Sequence, residues 1–199
     1  FESLKHKVKT KEKNTPYLET KQANGKVHYI ANNPLLAPVQ SFLLDKETKK
    51  KISMKVLTAL SSDTLFVQQN SVLKREVYFY YVLGKPNTKP TIISILPPFS
   101  DYKPMRISQG FNGQFSHKRR DNRYAVDIAL PVGTKITAVK EGIVVRTKDD
   151  YAHAGVSSDF FFDKANFVEI LHEDGTFALY AHLLLGGVHV KVGDRVTAG

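Results

Sequence analysis

The chain contains no cysteine, which excludes disulfide staples and every zinc site built on thiolates. A metal bound here must be held by histidines and carboxylates, a donor set that suits a catalytic site better than a structural one. No apolar run approaches the ~18–20 residues a membrane-spanning helix needs, and no signal-peptide pattern remains. No stretch shows a convincing helical period of normal length. Basic residues are not interleaved with aromatics as in nucleic-acid modules, so nucleic acid is disfavoured as a partner. The chain begins at Phe1 rather than Met, as a processed secreted protein or a trimmed chain would.

What is present is a length of 199 residues, enough for one large or two small domains with cores of their own. The net charge of +10 is unevenly placed. Residues 1–100 hold 16 Lys/Arg against 7 Asp/Glu, and residues 101–199 hold 13 against 12. The excess lies mainly in Lys5 to Lys13 and in Lys49-Lys50-Lys51. A basic first half attracts anionic polymers such as a cell wall through long-range fields, and it serves equally as a solvated surface.

Residues 1–16 are lysine-rich and end at Pro16, the pattern of an extended or poorly ordered arm. From Val27 onward, short apolar or alternating runs are separated by turn residues. The runs are Val27 to Ile30, Val39 to Leu44, Ile52 to Leu60, Leu65 to Val67, Lys74 to Leu83 and Thr91 to Leu96. Such spacing predicts an immunoglobulin-like β-sandwich over residues 1–96. The strip Val77 to Val82 has high β-propensity and reads as a central strand packed on both faces, rather than as a binding platform. Pro97 and Pro98 cannot continue a ladder, so residues 97–104 read as a linker to a second domain over 105–199. In that domain Lys135 to Val139 and Gly142 to Arg146 are predicted to pair, and Phe167 to His172 forms a hairpin with Thr176 to Leu183. The whole chain is expected to be all-β.

The most informative stretch runs from Ser108 to Thr134. It places His117 and Asp127 at the two ends of a loop, and Asp127 inside the apolar run Ala125 to Leu130. Burying a lone carboxylate costs several kcal/mol unless a cation meets it. Either a metal ion or one of Arg119, Arg120 and Arg123 removes that cost, and spacing alone leaves both open.

This segment resembles the metal-binding entry of the lysostaphin-type (LytM-like) zinc endopeptidases, which cut peptide bonds in bacterial peptidoglycan. Their pattern is His-x-Gly-x-Asp, followed by an apolar residue, a Pro and a Gly-Thr turn. The aligned residues here are Arg123-Tyr124-Ala125-Val126-Asp127, so the Asp is kept and Arg123 stands where the family has its first His. A guanidinium keeps its proton and offers no lone pair to zinc. A branch of the family carries Ser-His…Tyr-Ala-Val-Asp instead, which transfers the ligand role to His117. The resemblance therefore implies zinc held by His117 and Asp127, with Arg123 free to steer a carboxylate of the peptidoglycan stem.

A second piece, Tyr180-Ala181-His182-Leu183, is similar to the family's Tyr-x-His-Leu motif. Alternation places Tyr180 and His182 on one side of their strand, with Leu179, Ala181 and Leu183 on the other. The resemblance gives His182 the catalytic role of assisting the water and the developing oxyanion. It leaves Tyr180 as a packing, positioning or substrate-contacting aromatic. His6, His28, His153, His172 and His189 have no support as ligands. The run Val188 to Gly199 is shared with biotinyl and lipoyl carriers, but a carrier needs a lysine at a hairpin tip, and Glu173-Asp174-Gly175 has none.

In the family, a His-x-His motif downstream supplies the third zinc ligand and the general base. The chain stops at Gly199 before that point, which favours a piece of a longer peptidase over a degenerate domain. The expectation is a secreted zinc endopeptidase acting in the periplasm or outside the cell on peptidoglycan or its peptides. The alternative is a non-catalytic wall-binding or hydrolase-activating module.

Overall fold

A computed structural model describes residues 14–69, 74–91, 94–100, 105–119, 122–152 and 164–199. Twelve β-strands and no helix are found among them. Residues 1–13 of the lysine-rich arm and residues 153–163, with His153 and Phe160 to Phe162, lie outside the described residues. Among the described residues no helix is long and apolar enough to cross a membrane.

The first half holds β1 (Tyr17–Ala23), β2 (Lys26–Asn33), β3 (Val39–Asp45), β4 (Lys51–Leu57), β5 (Ser61–Gln68) and β6 (Val77–Leu83). They form two antiparallel three-stranded sheets, ordered β1-β2-β5 and β4-β3-β6. Alternating burial along β2 and β3 follows the period of two and turns one face of each strand inward. Val27, Tyr29 and Ala31 from the first sheet meet Val39, Leu43 and Leu57 from the second in a single core. Each large side chain so buried contributes about 1.5–3 kcal/mol.

At the end of β3, Asp45 closes a tight turn. Its carboxylate accepts from the amide and hydroxyl of Thr48 and from Nε of Arg75. These bonds, those of Thr48 first, pull its pKa down to about 2.

β1 was not foreseen, because its sequence is polar. The strip Val77 to Val82 is not a central strand packed on both sides. It lies in β6, at the end of its sheet, with Tyr78, Tyr80 and Val82 44%, 42% and 47% exposed. The described residues of the run Thr91 to Leu96 do not join either sheet. Thr91 donates its amide to Asp174, Leu96 donates to the Val139 carbonyl, and Pro98 accepts from Thr137. That chain is spent on tying the two halves together.

The second half holds β7 (Arg106–Gln109), β8 (Asp127–Ala129), β9 (Gly142–Lys148), β10 (Asn166–Leu171), β11 (Phe177–Leu183) and β12 (Arg195–Val196). The larger sheet is ordered β11-β10-β9-β12, and β7 pairs with β8 apart from it. Val144, Val168 and Ile170 form the core, with Ala138, Tyr180, Leu183, Val188, Val190 and Val196 packed against it. The β10–β11 hairpin matches expectation, but Lys135 to Val139 does not pair with β9. Its only strand-like contact among the described residues is the bridge between Ile136 and Phe99.

Asp174, in the hairpin turn, joins the buried ammonium of Lys140 at 2.8 Å, and both side chains are about 10% exposed (10% and 9%). Lys140 and the Thr176 hydroxyl hold its pKa far below the usual carboxylate range.

Two tests follow from these carboxylates. Asp174→Ala strands the Lys140 charge and is expected to cost about 3–5 kcal/mol in urea unfolding; a loss under about 1 kcal/mol contradicts the packing described. Because the pKa values of Asp45 and Asp174 are depressed in the fold, their contribution is complete above the unfolded value near ~4. It is lost as pH falls through the folded values. Urea midpoints should therefore drop between pH 4 and pH 2, and Asp45→Asn should make that drop shallower.

Candidate functional site

The stretch Ser108 to Thr134 forms β7, a compact loop and β8, and the loop's ends are brought together by the β7–β8 pairing. Inside the loop, Gly113 donates to the Gly110 carbonyl and His117 to the Gly113 carbonyl. The Asn122 side chain donates to the Ser116 carbonyl and accepts from the Arg119 amide. These internal bonds brace the described part of the loop.

His117 and Asp127 meet. The ring of His117 is 4% exposed. Its Nδ1 lies 2.9 Å from the Gly110 carbonyl oxygen, which only accepts, so Nδ1 carries a proton. Its Nε2 stands 3.1 Å from Oδ1 of Asp127. In a neutral imidazole with Nδ1 protonated, Nε2 presents a lone pair to a carboxylate oxygen. Two acceptors at that distance repel unless a proton or a cation lies between them.

Gln109, which the sequence reading passed over, frames the pair. Its Oε1 accepts from the amides of Phe115 and Ser116 at 3.0 and 3.2 Å. Its Nε2 donates to Ser116 Oγ at 2.8 Å and to Oδ2 of Asp127 at 3.0 Å. Both amide hydrogens and both carbonyl lone pairs are used. Gly113 leaves room for this side chain, because a Cβ there would collide with it. A lone glutamine in a polar loop carries no periodic signal, so only the fold reveals it.

The premise of a buried carboxylate needs correction. β8 is three residues long, and the Asp127 side chain is 47% exposed. Its second oxygen is bound by Gln109 and its first faces His117, so the residue is a half-exposed, positioned carboxylate rather than a rescued buried charge. The Arg123 guanidinium lies 4.8 Å over the ring of Tyr124, which meets Phe111 edge-on at 5.7 Å. Phe111, Phe115, Tyr124 and Val126 are all exposed around the pair.

His182 stands in the other sheet. Across β10–β11 the register shifts between Asn166 and Phe167, which pair with Leu183 and Ala181, so His182 is the extra residue of a β-bulge. Its φ of +63° is in the left-handed region. A non-glycine residue held there is strained, and bulges re-aim side chains beside functional sites. The bulge overturns simple alternation, because Tyr180 and Leu183 both pack on the core while His182 is exposed.

The Tyr180 hydroxyl accepts from the Val139 amide at 2.8 Å, and burial raises its pKa. His172 donates from Nδ1 to the Glu141 carbonyl and is a buried strand-end residue. Among the described residues no group of three His, Cys, Asp or Glu side chains converges as a metal site.

Gln109→Ala removes four hydrogen bonds of about 0.5–1.5 kcal/mol each, part of which water replaces. A stability loss of about 1–3 kcal/mol is expected in urea unfolding, and Gly113→Ala should act in the same direction. Unchanged midpoints in both would remove Gln109 from the frame.

Residues 121–199 match the model of peptidase family M23. The match takes in Arg123, Asp127, Tyr180 and His182 and begins just after His117. A curated relative, an "Uncharacterized metalloprotease" of Buchnera aphidicola subsp. Baizongia pistaciae (strain Bp), is 28% identical over 143 residues. The aligned region covers 65% of this chain and 35% of the relative, so the chain spans about a third of that protein's length. No solved structure matches the chain.

Proposed function

We propose, from the premise that residues 121–199 form a peptidase family M23 domain, that this domain is a zinc-dependent endopeptidase acting on peptide bonds of bacterial peptidoglycan. The observation that carries the reading is the His117–Asp127 pair. A histidine that binds a metal commonly donates its other ring N–H to a backbone carbonyl, which fixes the tautomer. His117 does this to Gly110 and turns Nε2 toward the carboxylate. Two atoms bound to one zinc at about 2.0–2.1 Å in tetrahedral array lie about 3.3 Å apart, close to the 3.1 Å between Nε2 and Oδ1. The donor set fits two of the three protein positions of a catalytic zinc. The family resemblance puts the third ligand in a His-x-His motif, which these 199 residues do not contain.

When bound, zinc supplies Lewis acidity toward a water and a peptide carbonyl. His117 and Asp127 hold the ion, and Gln109 keeps the Asp127 carboxylate from rotating. His182, aimed outward by its bulge, donates to the carbonyl oxygen of the cleaved peptide as charge builds there. Tyr180 positions that strand through its core ring and its bond from Val139. Arg123, stacked on Tyr124, meets a carboxylate of the stem peptide. Peptidoglycan as substrate places the protein in the periplasm or outside the cell. The strand orders 1-2-5 and 4-3-6 over one core suit an immunoglobulin-like module in the first half. The second reading is a wall-binding or hydrolase-activating module, favoured by Arg123, which cannot ligate a metal, at the position where the family resemblance has its first histidine.

Elemental analysis after dialysis against zinc distinguishes the two. About one zinc per chain, falling at least tenfold in His117→Ala and in Asp127→Ala, is the expected result. Zinc-free protein that still binds muropeptides turns the reading to the module. In a zinc-loaded form that is active, His182→Ala should lower turnover about 10²–10³-fold with metal content unchanged. Unaltered muropeptide binding in Arg123→Ala removes that residue from the substrate site.

A further inference from the structure

The outward aim of His182 depends on one bulge, and a bulge needs fixed points on both sides. Along β11, Leu179 and Ala181 are exposed while Tyr180 and Leu183 pack on the core. A regular strand would turn residue 182 inward, on the side of Tyr180, and residue 183 outward. The extra residue breaks that order and leaves His182 exposed at a φ of +63°. Strain of this kind persists only where the surroundings over-determine the backbone. Before the bulge, the core and the Val139 amide hold Tyr180. After it, the chain must be held at Leu183.

Asn166, at the start of β10, is placed to do this. It is 3% exposed, and it faces Leu183 at the point where the ladder shifts. Its Nδ2 donates to the Leu183 carbonyl at 3.2 Å and to the Tyr151 carbonyl at 2.9 Å. Its Oδ1 accepts from the Tyr151 amide at 3.0 Å. The two bonds with Tyr151 reproduce the exchange made by a backbone pair, although Tyr151 lies beyond the end of β9. Both amide hydrogens are therefore spent, and one buried side chain ties the exit of β9 to the residue after His182. Asp149 adds a tie farther on, accepting from the amides of Gly186 at 2.7 Å and Val188 at 3.3 Å. That carboxylate fixes the turn after β11, whereas Asn166 acts on the carbonyl next to the bulge.

We propose that Asn166 is a positioning residue, whose carboxamide holds Leu183 in the bulged register and so keeps the His182 imidazole turned out of the core. What His182 does for the reaction rests on the peptidase reading; how its ring is held does not. Asn166→Asp keeps the size of the side chain and the oxygen that meets the Tyr151 amide. It sets the second oxygen against two carbonyls, which only accept. That repulsion removes the tie to Leu183 and favours the unshifted ladder.

Nuclear magnetic resonance on the isotope-labelled 199-residue chain, free of metal, tests this. A positive φ brings the Hα of a residue close to its own amide hydrogen and gives an intense cross-peak between them. In the wild type His182 should show that cross-peak, and the Asn166 carboxamide hydrogens should resist exchange with solvent. In Asn166→Asp the His182 cross-peak should fall to the level of Ala181 and Leu183. Asn166→Ala, which removes the tie without adding charge, should give the same loss. Glu169→Gln is the control, since it alters a buried acceptor of β10 that is bonded to Arg146 at 2.6 Å, away from the bulge. It should leave the His182 cross-peak intact.

A wild type without the cross-peak, or with a freely exchanging carboxamide, overturns the proposal whether or not the variants fold. So does a cross-peak that survives in both Asn166 variants, or one lost equally in Glu169→Gln. In a zinc-loaded form that is active, Asn166→Asp should lower kcat by about tenfold or more with KM unchanged. It should add nothing to the loss caused by His182→Ala, because the two act as one unit. An additive loss overturns the proposal, whereas an inactive wild type counts against the peptidase reading alone.

Discussion

The second half depends on one imidazole with both nitrogens engaged. The Gly110 carbonyl fixes a proton on Nδ1 of His117 and turns Nε2 toward Asp127. The two side chains then need a proton or a cation between Nε2 and the carboxylate oxygen. Everything nearby serves to maintain it. Gln109 spends all its hydrogen-bonding capacity on the loop and on the far oxygen of Asp127, and Gly113 makes space for it. Pairing of β7 with β8 closes the loop, so two residues ten positions apart are presented together. No helix dipole is used, and only the histidine of the pair is buried.

The two halves share a physical theme, in which irregular segments are held by a few buried or well-bonded polar groups. Asp174 gathers Lys140, Thr176 and the amide of Thr91, and so fastens the connecting chain to the second sheet. Asp45 does the same for the turn after β3 through Thr48 and Arg75. Gly84 and Gly175 lie at the crossing, where a Cβ would crowd Phe177 and Thr88. The connection between the halves is therefore specific contact, and Pro97 and Pro98 stiffen it.

Much of this was legible in the sequence, wherever alternation controls the outcome. β2, β3, β5 and the β10–β11 hairpin follow from their apolar periods, and His117 with Asp127 followed from a resemblance to a known motif. What escaped was set by tertiary partners. Thr91 to Leu96 has strand propensity, but the amides at its two ends are taken by Asp174 and Val139. Lys135 to Val139 loses its ladder because its amides and carbonyls bond to Pro98, Leu96, Gly199 and the Tyr180 hydroxyl. The alternation that put Tyr180 and His182 on one face failed at a single bulge. β6 was placed at the centre of a sheet because hydrophobicity on both faces ordinarily means burial, and here one face is left open. Gln109 had no pattern to betray it.

The most direct test of the central claim is X-ray absorption at the zinc edge on the chain loaded with one equivalent of zinc. The account predicts the scattering signature of an imidazole nitrogen together with oxygen neighbours, with the imidazole component lost in His117→Ala. A zinc environment with no imidazole, or one whose imidazole signal survives His117→Ala, contradicts it.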